Sequence, residues 1–220
     1  MNTAAPLKIV VLGASGHIGR AITDEAVSRG HHVVAVSQDT ERLKDLDGAA
    51  VISANVLDAQ VLAGVVAGHD AVIAALAGRG PGQGRTVPDA ARLLLKVLPS
   101  AGVDRLVFSG GGGSLEAAPG KRFVDDPHFP QEYKQEAVAA AEALDIFRSS
   151  TSDLRWTYFS PPPTYLTDGG RTGIYRAEAG DQPILDDNGE SRISVADLAC
   201  AIVDSVEDAT FIRQRFTAAY

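Results

Sequence analysis

Leu7-Lys8-Ile9-Val10-Val11-Leu12-Gly13-Ala14-Ser15-Gly16-His17-Ile18-Gly19 begins as a β-branched run and ends on three glycines, each three residues after the last. Residues 17–29 then place Ile18, Ala21, Ile22, Ala26 and Val27 at helical spacing, so the stretch reads strand, glycine turn, helix. In such a turn Gly13 lets the chain reverse tightly, Gly16 lets the backbone approach a pyrophosphate, and Gly19 lets helix and strand pack closely. The amides and positive dipole end of the helix would hold the diphosphate. The expected reading of Gly13, Ala14, Ser15, Gly16, His17, Ile18 and Gly19 is therefore a dinucleotide cradle, against the alternative of an ordinary strand-to-helix turn.

Outward from this turn, apolar strands alternate with amphipathic helices. His32–Ser37, Ala49–Ser53, Asp70–Leu76, Arg105–Ser109 and Arg155–Ser160 read as further strands. Helices are expected at residues 40–47, after the cap Asp58 to about Ala67, from Ala90 to Ala101, and from about Gln131 to Ser149. Continuous apolar strands joined by helices predict an α/β fold, a doubly wound parallel sheet covered on both faces, as one domain. Short strand signals at Gly173–Arg176 and Arg192–Ser194, a helix from about Val195 to Val206 and a strand at Phe211–Thr217 form a small C-terminal elaboration of the same sheet. Three loops interrupt the rhythm. Gly78–Pro88 is too glycine-rich to order itself. Gly110–Ser114 leads into a long, proline-bearing loop at 115–130 that could cover a site. Pro161-Pro162-Pro163 ends the sixth strand sharply and opens the substrate-side region 161–195.

The composition narrows the function. Twenty basic against 28 acidic residues give a formal net charge of −8, which argues against phosphate neutralisation and hence against nucleic acid as a partner. One cysteine, Cys200, supports neither an internal disulfide nor a thiolate metal site, so the expected compartment is a reducing cytoplasm. No apolar run reaches the length of a membrane span, and the N-terminus carries no secretory pattern. The partner expected is a small molecule, with the chain a monomer or homodimer.

The spacing Gly-x-x-Gly-x-x-Gly resembles that of extended and atypical short-chain dehydrogenases/reductases. Val103–Gly111 resembles their fifth strand and its glycine loop, and Ser160-Pro161-Pro162 their cofactor-contacting loop. Arg171–Tyr175, Ser191–Leu198, Arg215–Thr217 and terminal Tyr220 resemble their C-terminal half. Together these are similar to the NADH-flavin reductases, close to the biliverdin IXβ/flavin reductases and the NmrA-like proteins. The resemblance implies a nicotinamide cofactor contacted by Asn55 and Val56 after the third strand, by Leu76, Ala77 and Gly78 after the fourth, and by Ser109, Gly110, Ser160, Pro161 and Pro162. At the end of the second strand, where NAD-selective proteins carry a carboxylate for the adenine ribose, stands Ser37. Ser37, Gln38 and Arg42 could bind a 2′-phosphate, so NADP(H) is favoured over NAD(H), with Asp39 pulling the other way.

Catalysis in the larger family uses Ser, Tyr and a Lys four residues after the Tyr. Tyr133 takes the tyrosine's place, but four residues on is Ala137, and Lys134 would point about 100° away on a helix. A phenol without a cationic neighbour is a poor proton relay at neutral pH. Gly110 and Gly111 occupy the usual serine stretch, leaving Ser109 and Ser114 as candidates beside Tyr133. Hydride transfer to a conjugated ring spreads the resulting charge and needs chiefly stacking over the nicotinamide, whereas an isolated carbonyl needs the proton donor. The missing lysine thus favours a flavin-like acceptor. The alternatives are a ketoreductase or epimerase, and a non-catalytic NmrA-like redox sensor. Among the other side chains, His128 has a claim as proton donor against a plain surface-loop role; Cys200 and Trp156 read as core, and Tyr165 as loop packing or a substrate contact.

Overall fold

The computed structural model describes residues 5–78, 84–163 and 165–220, with Tyr165 described by its backbone. Its centre is an eight-stranded sheet built from β1 (Lys8–Leu12), β2 (His32–Ser37), β3 (Ala49–Ser53), β4 (Ala71–Ala74), β5 (Arg105–Ser109), β8 (Arg155–Phe159), β10 (Arg176–Ala179) and β12 (Gln214–Ala219). The order across the sheet is β10-β12-β8-β5-β4-β1-β2-β3, with every pairing parallel except the edge pair β10–β12. Strand order reverses between β1 and β4, which opens a crevice at the carboxyl ends of the strands where such sheets receive ligands.

Strand β1 shows why the sheet is covered twice. Ile9 and Val11 enter one core, with α1 (His17–Ser28) and α5 (Val195–Glu207), while Val10 and Leu12 enter the other. The second core lies under α2 (Ala59–Val66), α3 (Thr86–Ser100) and α4 (Gln131–Ser149). It centres on Phe108, whose ring lies 5.1 Å from that of Phe147 and 5.7 Å from that of Tyr158. Arg105, 3% exposed at the start of β5, donates to the carbonyls of Arg155 (2.8 Å) and Ser205 (2.7 Å) and to Thr157 Oγ1 (2.7 Å). Burial pulls its guanidinium down to about 10, and these acceptors make it a tie between β5, β8 and α5.

The strands expected at 32–37, 49–53, 105–109 and 192–194 and the helix at 131–149 stand at those bounds. Other expectations need correction. α3 begins at Thr86 rather than Ala90, so Val87 and Pro88 belong to its first turn, where a proline sacrifices no helical hydrogen bond. Residues 79–83 of the expected glycine loop lie outside the described residues. Residues 40–47 form only a short 3₁₀ turn, Glu41–Leu43. The expected strand at 173–176 lies instead at 176–179, and Ile174 is 79% exposed. The C-terminal elaboration is divided: β10 and β12 extend the main sheet, while β9 (Tyr165–Thr167) and β11 (Arg192–Ser194) pair in parallel as a separate two-stranded sheet. The long loop at 115–130 contains an antiparallel pair, β6 (Glu116–Ala118) with β7 (Lys121–Arg122), then a 3₁₀ turn over 123–125. Among the described residues no helix is long and apolar enough to cross a membrane.

Candidate functional site

The turn after β1 is shaped by backbone crowding. Gly13 has φ +83°, and a Cβ there would stand 2.3 Å from the Ala75 carbonyl oxygen; a Cβ on Gly19 would stand 2.2 Å from that of Gly13. Both positions demand glycine, the first for conformation and the second for close packing. Gly16 differs: its added Cβ would meet only Gly13 O, at 3.3 Å, and otherwise face open space. Gly16 is also the N-cap of α1 and has no side chain to offer, and no acidic residue occupies the first turn, so the first amides of α1 face outward as an anion site. A pyrophosphate fits this cradle. The amides of Gly13 and Ala14 are already committed to Val36 O (2.9 and 3.1 Å), and Ala14 is fully buried, so these two shape the turn rather than face a ligand.

At the adenine end, Ser37 Oγ donates to Ser15 Oγ at 2.6 Å and accepts from the Asp39 amide at 3.0 Å. Gln38 Nε2 donates to Asn55 Oδ1 at 3.1 Å, bridging the ends of β2 and β3, and Val56 packs against the second core. Arg42 is exposed on the 3₁₀ turn beyond. The residues expected around an adenine nucleotide thus lie along one edge, with Ser37 more engaged in shaping its own turn than the sequence suggested.

At the other end of the crevice is a cavity of about 570 Å³ lined by Ile18, Leu76, Ser109, Gly110 and Pro161 from the strand ends, and by Tyr133, Glu136, Ala137 and Ala140 from α4. Phe123, Asp126, His128 and Phe129 close it from the 115–130 loop, with Val87, Pro163 and Leu166 completing the walls. The glycine run lies pressed against the proline loop, since a Cβ on Gly112 would come within 2.5 Å of Pro161 O. Ala77 is exposed and Gly78 buried beside the cavity, and neither lines it. Ser160 and Pro162 are also buried and set back from its surface, the Ser160 hydroxyl without a hydrogen-bond partner.

The three candidate catalytic residues separate. Ser109 and Tyr133 line the cavity, Tyr133 being 56% exposed. Ser114 does not line it: its Oγ accepts from the buried Arg215 Nη1 at 3.1 Å, and Arg215 also binds Ser114 O at 2.9 Å and the Asp181 carboxylate. Its position is that of a structural tie under the loop. Lys134 donates to the Val124 carbonyl and its Nζ lies 5.7 Å from the Phe129 ring centroid, so the one lysine near Tyr133 clamps the loop instead. Tyr158 is fully buried, donates to Ala140 O at 2.7 Å, and is pushed above the usual phenol range by burial, so it is no rival proton donor.

The segment after β9 straps across α1 and α5. His17 Nε2 lies 3.6 Å from Asp168, Arg171 makes two 2.8 Å bonds to Glu25, and Asp197 accepts from Thr172 and Gly173 amides at 2.8 and 2.7 Å. Desolvation raises the pKa of Glu25, but its bonds to Arg171 and Arg29 outweigh this and hold it at about 2. Sequence reasoning missed this strap and the aromatic walls. One signal was present: Tyr133, Glu136, Ala137 and Ala140 fall at i, i+3, i+4 and i+7, one face of a helix.

A family model described as NAD(P)H-binding matches residues 13–209. Three solved structures are similar over nearly the whole chain. A protein from Burkholderia pseudomallei named "putative exported protein" is 40% identical, with a TM-score of 0.85 over 97% of this chain and 100% of that one. One from Streptococcus pneumoniae TIGR4 named "a putative NADH-flavin reductase" is 32% identical, with a TM-score of 0.86 over 97% and 99%. A third, from Bacteroides thetaiotaomicron and named "putative epimerase", is 34% identical, with a TM-score of 0.87 over 98% of each chain.

Proposed function

Because the chain belongs to the NAD(P)H-binding family, we propose that it is an NAD(P)H-dependent oxidoreductase that passes hydride to a flavin-like or other conjugated acceptor. The observation that carries the reading is the cavity beside the cradle. It is walled by Phe123, Phe129, Val87, Leu166 and three prolines, and the lysine nearest its tyrosine is committed to the Val124 carbonyl. Such a space suits a flat ring that needs stacking more than a proton relay tied to Tyr133.

The bound dinucleotide supplies the hydride at its nicotinamide ring. The chain supplies the rest: the α1 amides and Gly16 hold the diphosphate, and Ile18, Leu76 and Pro161 border the cavity on the strand-end side. Phe123 and Phe129 present apolar rings to the space the acceptor would fill. A preference for NADP(H) belongs to the same proposal. It is supported by the hydroxyl at Ser37 where an acid would repel a 2′-phosphate, and by exposed Arg42 nearby; Arg42→Ala should weaken NADPH binding about tenfold and leave NADH unchanged. A cytoplasmic location is carried with it on the buried lone Cys200, while the name of the Burkholderia relative points the other way. Fractionation of the native host decides between them.

A second reading, a ketoreductase or epimerase, has one observation in its favour: Ser109 and Tyr133 do line the same cavity. Purified protein with NADPH or NADH, offered riboflavin, FMN and simple ketones while nicotinamide absorbance is followed, separates the two. Oxidation by the flavins supports the proposal, and oxidation by ketones alone overturns it.

A further inference from the structure

The reaction proposed above adds one hydride and one proton to the acceptor, and the cavity walls hold few groups able to give the proton. Tyr133 lacks the lysine that would activate it, since Ala137 stands four residues on and Lys134 is turned to the Val124 carbonyl. Ser109 is a weak acid with no base assigned to it. Tyr158 is sealed in the core. Besides Glu136 on α4, one pair of side chains at the cavity joins an imidazole to a carboxylate. His128 and Asp126 both line it, with His128 Nδ1 3.1 Å from Asp126 Oδ1 and the His128 amide donating to that same oxygen at 2.7 Å. The amide bond, followed by the imidazole, holds the Asp126 carboxyl below its usual range, so Asp126 stays an acceptor.

Resting on the proposed reductase reading, we propose that His128, oriented by Asp126, is the proton donor to the acceptor. A carboxylate on Nδ1 fixes which ring nitrogen is left over and leaves Nε2 to serve the substrate. The His128 side chain is 95% exposed, so water can reprotonate it between turnovers. The step balances: the acceptor takes hydride from the dihydronicotinamide and a proton as the His128 Nε2–H bond breaks, the nicotinamide is oxidised, the acceptor is reduced, and the imidazole regains its proton from water.

The charged and titratable groups around His128 among the described residues come from two elements. On its own loop are Asp126 and Asp125, the latter paired with Arg122 at 2.8 Å. On α4 are Tyr133, Glu136 and Lys134, the last beside the Phe129 ring. The Asp126 carboxylate on Nδ1 is what distinguishes His128 from a free surface histidine. The four other histidines lie elsewhere: His31 is buried against Glu207, His17 faces Asp168, His69 turns to the carbonyls of Val66 and Ala67, and His32 is exposed on β2.

The test measures riboflavin reduction across pH in ordinary and heavy water for the wild type, His128→Gln, Asp126→Asn and the control His32→Gln, with nucleotide affinity titrated for each. His128→Gln should lower kcat/KM on the order of a hundredfold, flatten the pH profile and abolish the solvent isotope effect, with nucleotide affinity unchanged. Asp126→Asn should fall by less and displace the profile without flattening it, and His32→Gln should match the wild type. A His128→Gln protein that keeps the wild-type pH profile and solvent isotope effect overturns the proposal and leaves the reductase reading standing. A wild type that binds nucleotide but reduces no flavin removes both.

Discussion

Four alanine substitutions at glycines separate the cradle's folding role from its binding role. At Gly30, φ is +85° and a Cβ would meet nothing within 4 Å, so Gly30→Ala carries only the left-handed strain of about 1–2 kcal/mol. Gly13→Ala adds to the same strain a Cβ 2.3 Å from backbone, and the forced shift brings the total to about 2–5 kcal/mol. Gly19→Ala has no strain but a 2.2 Å clash with backbone, about 1–3 kcal/mol. Gly16 has φ −76°, and its Cβ would press only Gly13 O at 3.3 Å, so Gly16→Ala should stay within about 1 kcal/mol of wild type. That methyl nevertheless stands where the pyrophosphate approaches, and nucleotide affinity should fall at least tenfold, about 1.4 kcal/mol. Urea unfolding gives the stabilities and nicotinamide fluorescence titration gives the affinities. A stable Gly16→Ala protein that binds NADPH and NADH as the wild type does would refute the assignment of this turn.

Glu25 supplies a pH test. Its folded pKa of about 2 lies below its ordinary 4.5, so its ion pairs with Arg171 and Arg29 stabilise fully above about pH 4.5 and are lost as pH falls towards 2. Glu25→Gln should therefore cost up to about 3 kcal/mol at neutral pH, with the difference from wild type shrinking through that window; a pH-independent difference in urea midpoints would contradict it. Cys200 is 1% exposed, and burial, aided by the Glu25 carboxylate, pushes its thiol up to about 11. It should ignore a disulfide reagent at pH 8 in the native protein and react fully in urea; rapid native labelling would contradict its placement.

The sheet and the cradle were legible because their signals are local. Val10 and Val11 alternate between two cores, three glycines fall at fixed spacing, and Asp58 caps α2 by accepting from the Gln60 and Val61 amides. What the sequence hid is non-local. β10 is wholly exposed and carries no apolar side chain larger than alanine; only its pairing with β12 makes it a strand. β9 pairs in parallel with β11, so nothing adjacent to Tyr165-Leu166-Thr167 announces it. At the site, the glycine and proline loops pointed to the right end of the sheet, but the tie from Arg215 to Ser114 and the clamp from Lys134 to Val124 join residues 101 and 10 apart. Ser114 therefore looked like a candidate for the catalytic serine beside Tyr133 and stands instead as an anchor under the loop.

The central claim is tested most directly by one titration series on the purified protein: NADPH and NADH binding, followed by riboflavin, FMN and then simple ketones, with nicotinamide absorbance recorded throughout. The account predicts nucleotide binding, oxidation on addition of the flavins, and little with ketones. Binding followed by oxidation with ketones alone, or with no acceptor at all, would contradict it.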